Sequence, residues 1–125
     1  MTHQAIEKRQ NPRVYVEAPM TITPSTKDKP ALFVWIQDIS LTGIRVKTEP
    51  MSRISDIPEE GEEVELKSHE DYFRLYGSGE IVWLSLSSKT MGIKFTRLGE
   101  ESKETVEELL RLFPAFCSDI RHSGS

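Results

Sequence analysis

The sequence predicts a mostly-β domain, a small antiparallel barrel with one helix at its C-terminal end, and three observations carry that reading. Short segments of alternating apolar and polar residues recur between Gly, Pro, Ser and Asp punctuation, the signature of half-buried strands joined by turns. The period then changes once, near residue 100, from two to that of a helix. Finally, 125 residues with 37% hydrophobic and 29% charged side chains suffice for one domain with a core and are too few for two ordinary ones.

The elements follow in order. Residues 1–12 read as an extended polar arm ending at Pro12, which disfavours helix at Asn11. Val14, Val16, Met20 and Ile22 then alternate imperfectly across Ala18-Pro19, predicting one strand kinked, or placed at an edge, at Pro19. Residues 24–30 form a loop. Ala31 to Ile36 is apolar at consecutive positions, as expected of a strand buried on both faces or lying at a barrel closure. Ile44-Arg45-Val46-Lys47-Thr48 alternates cleanly, with its cations on one face, which makes Asp38 to Gly43 a turn between two strands. Residues 49–62 are irregular and acidic, with Met51, Ile54 and Ile57 tucked beneath.

Val64 and Leu66 mark a short half-exposed strand. Phe73, Leu75 and then Ile81 to Leu84 make one long strand or two, with a bulge expected at Gly77-Ser78-Gly79. Ser87 to Thr90 turns the chain into the alternating Met91 to Phe95. Val106, Leu109, Leu110 and Phe113 fall on one helical face, with Glu100 and Glu101 near the positive end of the dipole and Pro114 as the stop. The predicted organisation is therefore an arm (1–12), a barrel plus helix (13–114) and a tail (115–125).

Composition narrows the function. A net charge of -4 argues against a protein that coats a nucleic acid polymer, which would carry a broad basic surface. A single cysteine, Cys117, can form neither an intrachain disulfide nor a zinc site alone. No apolar leader and no run near the ~18 residues of a membrane span is present, so a cytoplasmic location without membrane insertion is expected. His3, His69 and His122 lack ligand spacing. His69-Glu70-Asp71 reads as a solvated loop, and Glu59-Glu60 with Glu62-Glu63 as an exposed acidic loop or a recognition feature for a partner. With no nucleophile–base pair, metal cluster or phosphate-cradling loop, a binding protein is expected rather than an enzyme.

Two short motifs carry chemistry. Arg9 and Arg13, four residues apart beside Lys8, offer planar, permanently charged forks for phosphate oxygens or the O6/N7 edge of guanine, each contact worth roughly 1.5–3 kcal/mol. Asp38 offers an acceptor for the guanine N1–H and N2 edge, Ser40 a hydroxyl, and Gly43 a backbone able to turn sharply or approach a ligand. Each motif alone is also an ordinary surface or turn feature. Their conjunction, one before the first strand and one after the second, suggests a nucleotide site.

These residues, with Gly43 to Thr48, Gly79 to Trp83 and Gly92 to Phe95 in the same order, resemble the PilZ domain, a family of bacterial receptors for cyclic di-GMP. The resemblance runs from about Lys8 to Leu110. It implies a six-stranded antiparallel barrel capped by a helix, with no cofactor beyond the ligand and with the N-terminal segment folding across the barrel on binding. Arg9 and Arg13 would then clamp guanine edges and phosphates, and Asp38, Ser40 and Gly43 would form the floor. Trp83 is a candidate to stack a purine and equally a candidate for the core. Lys8 stands where many members carry another arginine, at a position associated with one bound ligand or an intercalated pair. Thr42 stands where a second glycine is frequent, which matters if that residue needs a positive φ.

A lone receptor domain would act as an adaptor through a protein partner or its own dimer, in motility or biofilm control. The alternative is a ligand-independent interaction module in motility or pilus machinery.

Overall fold

The computed structural model describes residues 13–26, 29–49, 53–69 and 73–112. Alternation is what folds the chain. In β1 (Val14–Pro24), Val14, Ala18, Met20 and Ile22 are buried while Tyr15, Glu17 and Thr23 stay exposed. In β3 (Gly43–Thr48), Ile44 and Val46 turn inward and Lys47 outward. In β4 (Glu63–Ser68), Val64 and Leu66 are buried and Glu65 and Lys67 exposed. Each apolar side chain on the inner face, such as Ile36, Ile44, Ile81 or Ile93, stabilises the fold by roughly 1.5–3 kcal/mol on leaving water.

With β2 (Leu32–Ile39), β5 (Tyr76–Ser85) and β6 (Thr90–Leu98), the strands close in the order β1-β2-β3-β6-β5-β4. All neighbours are antiparallel, and β1 pairs with β4 to seal the barrel. Closure leaves no free edge, which is how such a sheet avoids presenting unpaired backbone groups.

Several expectations need correction. β2 is not buried on both faces: Leu32, Val34 and Ile36 face the core, but Phe33 and Trp35 are each 40% exposed on the barrel wall. They meet edge to face at 5.7 Å, and the Trp35 indole N–H donates to Glu49 Oε1 at 2.9 Å. β1 is one strand, as expected, but Pro19 is not at an edge, since it pairs with Trp35. Ile57 is buried as expected, whereas Ile54 is 69% exposed; Met51 lies outside the described residues. Leu75 precedes β5 rather than lying in it, whereas β5 runs as one strand through its glycines with the expected irregularity between Ser78 and Gly79.

The helix α1 (Glu100–Leu112) closes one side of the barrel. Val106 is buried, and Leu109 and Leu110 pack against the core. Ser102, also buried, accepts the Tyr76 N–H on its Oγ at 2.7 Å, pinning the first turn to β5. Glu100 and Glu101 occupy that turn and Arg111 the last one, both favourable to the helix dipole. Phe113 and Pro114 lie outside the described residues, as do the arm and the tail.

The acidic loop is also more structured than its composition suggests. Glu62 folds inward, where Lys29 Nζ and the Glu59 N–H reach its Oε1 at 3.2 and 3.0 Å and the Thr26 hydroxyl donates to Oε2 at 2.9 Å. Burial raises its pKa, but the Glu59 amide, Thr26 and Lys29 together outweigh that and hold it below the usual carboxylate range. His69 is bonded to the Thr21 hydroxyl and lies against Phe33, with ring centroids 6.0 Å apart.

Candidate functional site

Asp38 sits at the centre of the site because of a bulge. Ile36 pairs with Val46, yet Asp38 pairs with Arg45, leaving Gln37 unopposed on β2. Simple alternation would send Asp38 into the core behind Leu32, Val34 and Ile36. The extra residue turns it to the outer face instead, opposite Tyr15 on one side and Arg45 on the other.

There the carboxylate is covered by cations. Arg13, just before β1, donates to Oδ1, and Arg45 Nη2 reaches Oδ2 at 2.8 Å, while the Asp38 side chain is only 3% exposed. A carboxylate withdrawn from water needs such partners. Each oxygen retains a further lone pair, so the group can still accept from a ligand. The ion pair joins the two sequence motifs across 25 positions. Lys8 and Arg9, the other predicted clamp residues, lie outside the described residues.

Ser40 and Gly43 act on the geometry of the turn. Ser40 is fully buried; its Oγ lies 3.3 Å from the Thr42 N–H, the Gly43 N–H and the Gly43 carbonyl, and its own N–H donates to that carbonyl at 2.8 Å. The turn proper is residues 40–42, since Asp38 belongs to β2 and Gly43 to β3. Thr42 has no need of a glycine: Lys89, at φ 59°, is the one non-glycine residue with positive φ among the described residues. Gly43 is not in that region either. Its reason is proximity, because a Cβ there would lie 2.2 Å from the Ile93 carbonyl oxygen.

Trp83 belongs to the site's face and not to the core. β5 carries a second bulge, with Ile81 paired to Ile93 and Trp83 to Gly92, so the indole is turned outward and is 39% exposed. Gly92 is also the partner of Arg45. Tyr15, Asp38, Arg45, Gly92 and Trp83 thus form one cross-strand row over five strands. The indole lies over Gly92, where an added Cβ would be 2.0 Å from its Nε1. Sequence reasoning placed Arg45 among surface cations and missed its role; only the register reveals it.

Comparison with known proteins agrees with this architecture. The family model of the PilZ domain matches residues 7–112. The Bacillus subtilis inhibitor of motility MotI/DgrA is similar in structure, with a TM-score of 0.59 at 15% identity over 82% of this chain and 49% of that one. The PilZ domain of CeSA from a cellulose-synthesizing bacterium gives 0.56 at 15% identity, over 78% and 92% of the two chains. The chain therefore spans about half the length of MotI/DgrA, and at these identities the likeness is one of fold. No curated protein matches the chain in sequence. The motif pair, the six-stranded closure and the match over residues 7–112 have one reading: the chain belongs to the PilZ domain family.

Proposed function

We propose that the chain is a cyclic di-GMP receptor that works as an adaptor, binding the dinucleotide on the face around Asp38 and passing the signal to a protein partner. The observation that carries this reading is the Arg13–Asp38 ion pair, which joins the arginine motif to the DxSxxG motif in a member of the PilZ family. Two guanidiniums on one carboxylate supply charge for phosphates and planar donors for guanine O6 and N7. Asp38 supplies the acceptor for the guanine N1–H and N2 groups. Trp83, on the same face, supplies an aromatic surface for stacking.

In this reading Lys8, Arg9 and Arg13 close over the ligand, while Ser40 and Gly43 hold the floor in shape. Binding exchanges protein–protein ion pairs for protein–phosphate ones and reorganises the segment around Arg13, which is the change a partner would detect. MotI/DgrA is by name an inhibitor of motility, and an output in motility or biofilm control is proposed here by that analogy of fold. The expected activity is binding in the cytoplasm, without catalysis. No helix among the described residues is long and apolar enough to cross a membrane.

Calorimetry with cyclic di-GMP tests the proposal. Binding that is lost in Arg13→Ala and Asp38→Ala supports it; no heat at tens of micromolar ligand, or unchanged affinity in both variants, refutes it. One observation favours the alternative of a ligand-independent module: both Asp38 oxygens already have protein partners. That reading requires cyclic di-GMP to leave the thermal midpoint and the amide spectrum unchanged.

A further inference from the structure

We propose that the cavity between β1 and β2, beside Asp38, is a guanine-selective subsite in which Glu17 and Arg45 read the base. The proposal rests on the cyclic di-GMP reading and extends it to residues outside both motifs. Two irregularities open the barrel wall at the same height. Tyr15 pairs with Asp38 and Ala18 with Ile36, so β1 spends two residues, Val16 and Glu17, where β2 spends only Gln37. Gln37 is in turn unopposed on β3. The result is a cavity of about 340 Å³ lined by Tyr15, Val16, Glu17, Gln37 and Arg45, within the roughly 300–1,000 Å³ range of small-ligand clefts.

Its lining is chemically suited to guanine. The Glu17 carboxylate can accept from N1–H and the 2-amino group together, a pair of donors that adenine lacks on that edge. Arg45 can donate to O6 and N7, the commonest specific arginine–base contact. Arg45 also has capacity to spare: Nη2 is committed to Asp38, but Nε is buried and has no acceptor among the described residues, and a guanidinium carries five N–H donors. Tyr15, 46% exposed, gives an aromatic wall. Among the described residues, Glu17 and Gln37 are engaged in no ion pair or side-chain hydrogen bond. Because Arg45 touches Asp38 and lines the cavity, the subsite is continuous with the motif, as a ligand with two linked bases requires.

The test is calorimetry on the full chain and its Glu17→Gln and Arg45→Lys variants, with cyclic di-GMP, cyclic di-inosine monophosphate, which lacks the 2-amino groups, and cyclic di-AMP. The wild type should prefer the guanine ligand over the inosine ligand by about tenfold or more, one well-made buried hydrogen bond's worth. Glu17→Gln should weaken the guanine ligand by about tenfold and reduce that preference by about threefold or more, what remains being due to Asp38 on the other base, since an amide offers one acceptor and not two. Arg45→Lys, which keeps a charge beside Asp38 but not the fork, should weaken both guanine and inosine ligands, because both carry O6 and N7. Thermal midpoints of both variants verify folding.

If the wild type binds and Arg13→Ala abolishes binding, yet Glu17→Gln keeps both affinity and base preference, the subsite is wrong and the receptor reading stands. If the wild type binds none of the three ligands, both fall together.

Discussion

Gly43→Ala separates two explanations of a motif glycine, one in which it lets a ligand approach and one in which it lets two strands approach. The new Cβ would stand 2.2 Å from the Ile93 carbonyl oxygen and 3.2 Å from both Ile93 C and Lys94 Cα. Carbon–oxygen contacts normally sit at roughly 3.3–3.6 Å, so β6 must retreat by on the order of 1 Å. All three atoms are backbone, and no rotamer change relieves the clash. The retreat stretches the ladder where Gly43 pairs with Lys94 and where the Phe95 N–H donates to the Thr42 carbonyl at 2.7 Å. It also loosens Ile44 against Ile93, a paired position on the core face.

Overpacking typically costs 1–3 kcal/mol and each weakened hydrogen bond roughly 0.5–1.5, giving a loss of about 2–4 kcal/mol. For a domain of this size that lowers the thermal midpoint by on the order of 10 °C. Urea unfolding followed by tryptophan fluorescence measures it, with an unchanged slope showing that the folded state is still the same one. A variant within about 0.5 kcal/mol of wild type would refute the strand-approach explanation. If such a variant had also lost cyclic di-GMP binding, Gly43 would be assigned to the ligand.

Three further perturbations test other parts of the structure. Ser102→Ala removes the acceptor of the Tyr76 N–H and should cost about 1–3 kcal/mol, with amide hydrogen exchange accelerating at Val106 and Leu109 more than in β1 and β2. Gly92→Ala should expel the Trp83 indole, whose Nε1 lies 2.0 Å from the new Cβ position; a red-shifted emission in a Trp35→Phe background reports it, and an unshifted spectrum would count against the stacked placement. Glu62 has its folded-state pKa depressed below the ordinary value of 4.5. Its contribution is therefore complete above the unfolded-state pKa and is lost as pH falls through the folded one. Urea midpoints should drop below pH 4.5 less steeply in Glu62→Gln than in wild type.

The barrel and its helix were legible because their signal is local. Val14, Met20 and Ile22, Ile44 and Val46, and Val64 and Leu66 each alternate within one strand, and a barrel wall asks only that. The outer face of β2 was not legible because Ala31 to Ile36 is apolar at every position, and periodicity cannot tell a doubly buried strand from one whose outer face carries exposed aromatics. In a single-layer closed barrel the outer face of a strand meets water unless something covers it, and α1 lies on another part of the barrel. Phe33 and Trp35 are therefore half in solvent, stabilised by each other and by Glu49.

The site was only half legible, for a different reason. Arg13, Asp38, Ser40 and Gly43 announce themselves by fixed spacing. Arg45 and Gly92 do not, because they join that face through strand register, and register there is broken between β1 and β2, between β2 and β3, and between β5 and β6. A one-residue slip exchanges the faces of a strand. Asp38 shares its parity with Ile36, and Trp83 with Ile81, so alternation assigns both to the core. The bulges at Gln37 and at Val82 reverse that parity and bring the carboxylate and the indole into the same outer row as Arg45. Ile39 and Leu84, one residue later, again turn toward the core. Each bulge thus turns one candidate side chain to the outer face while the strand keeps its apolar residues inside, which is why the barrel can carry polar and aromatic groups on its wall without losing a layer of its core.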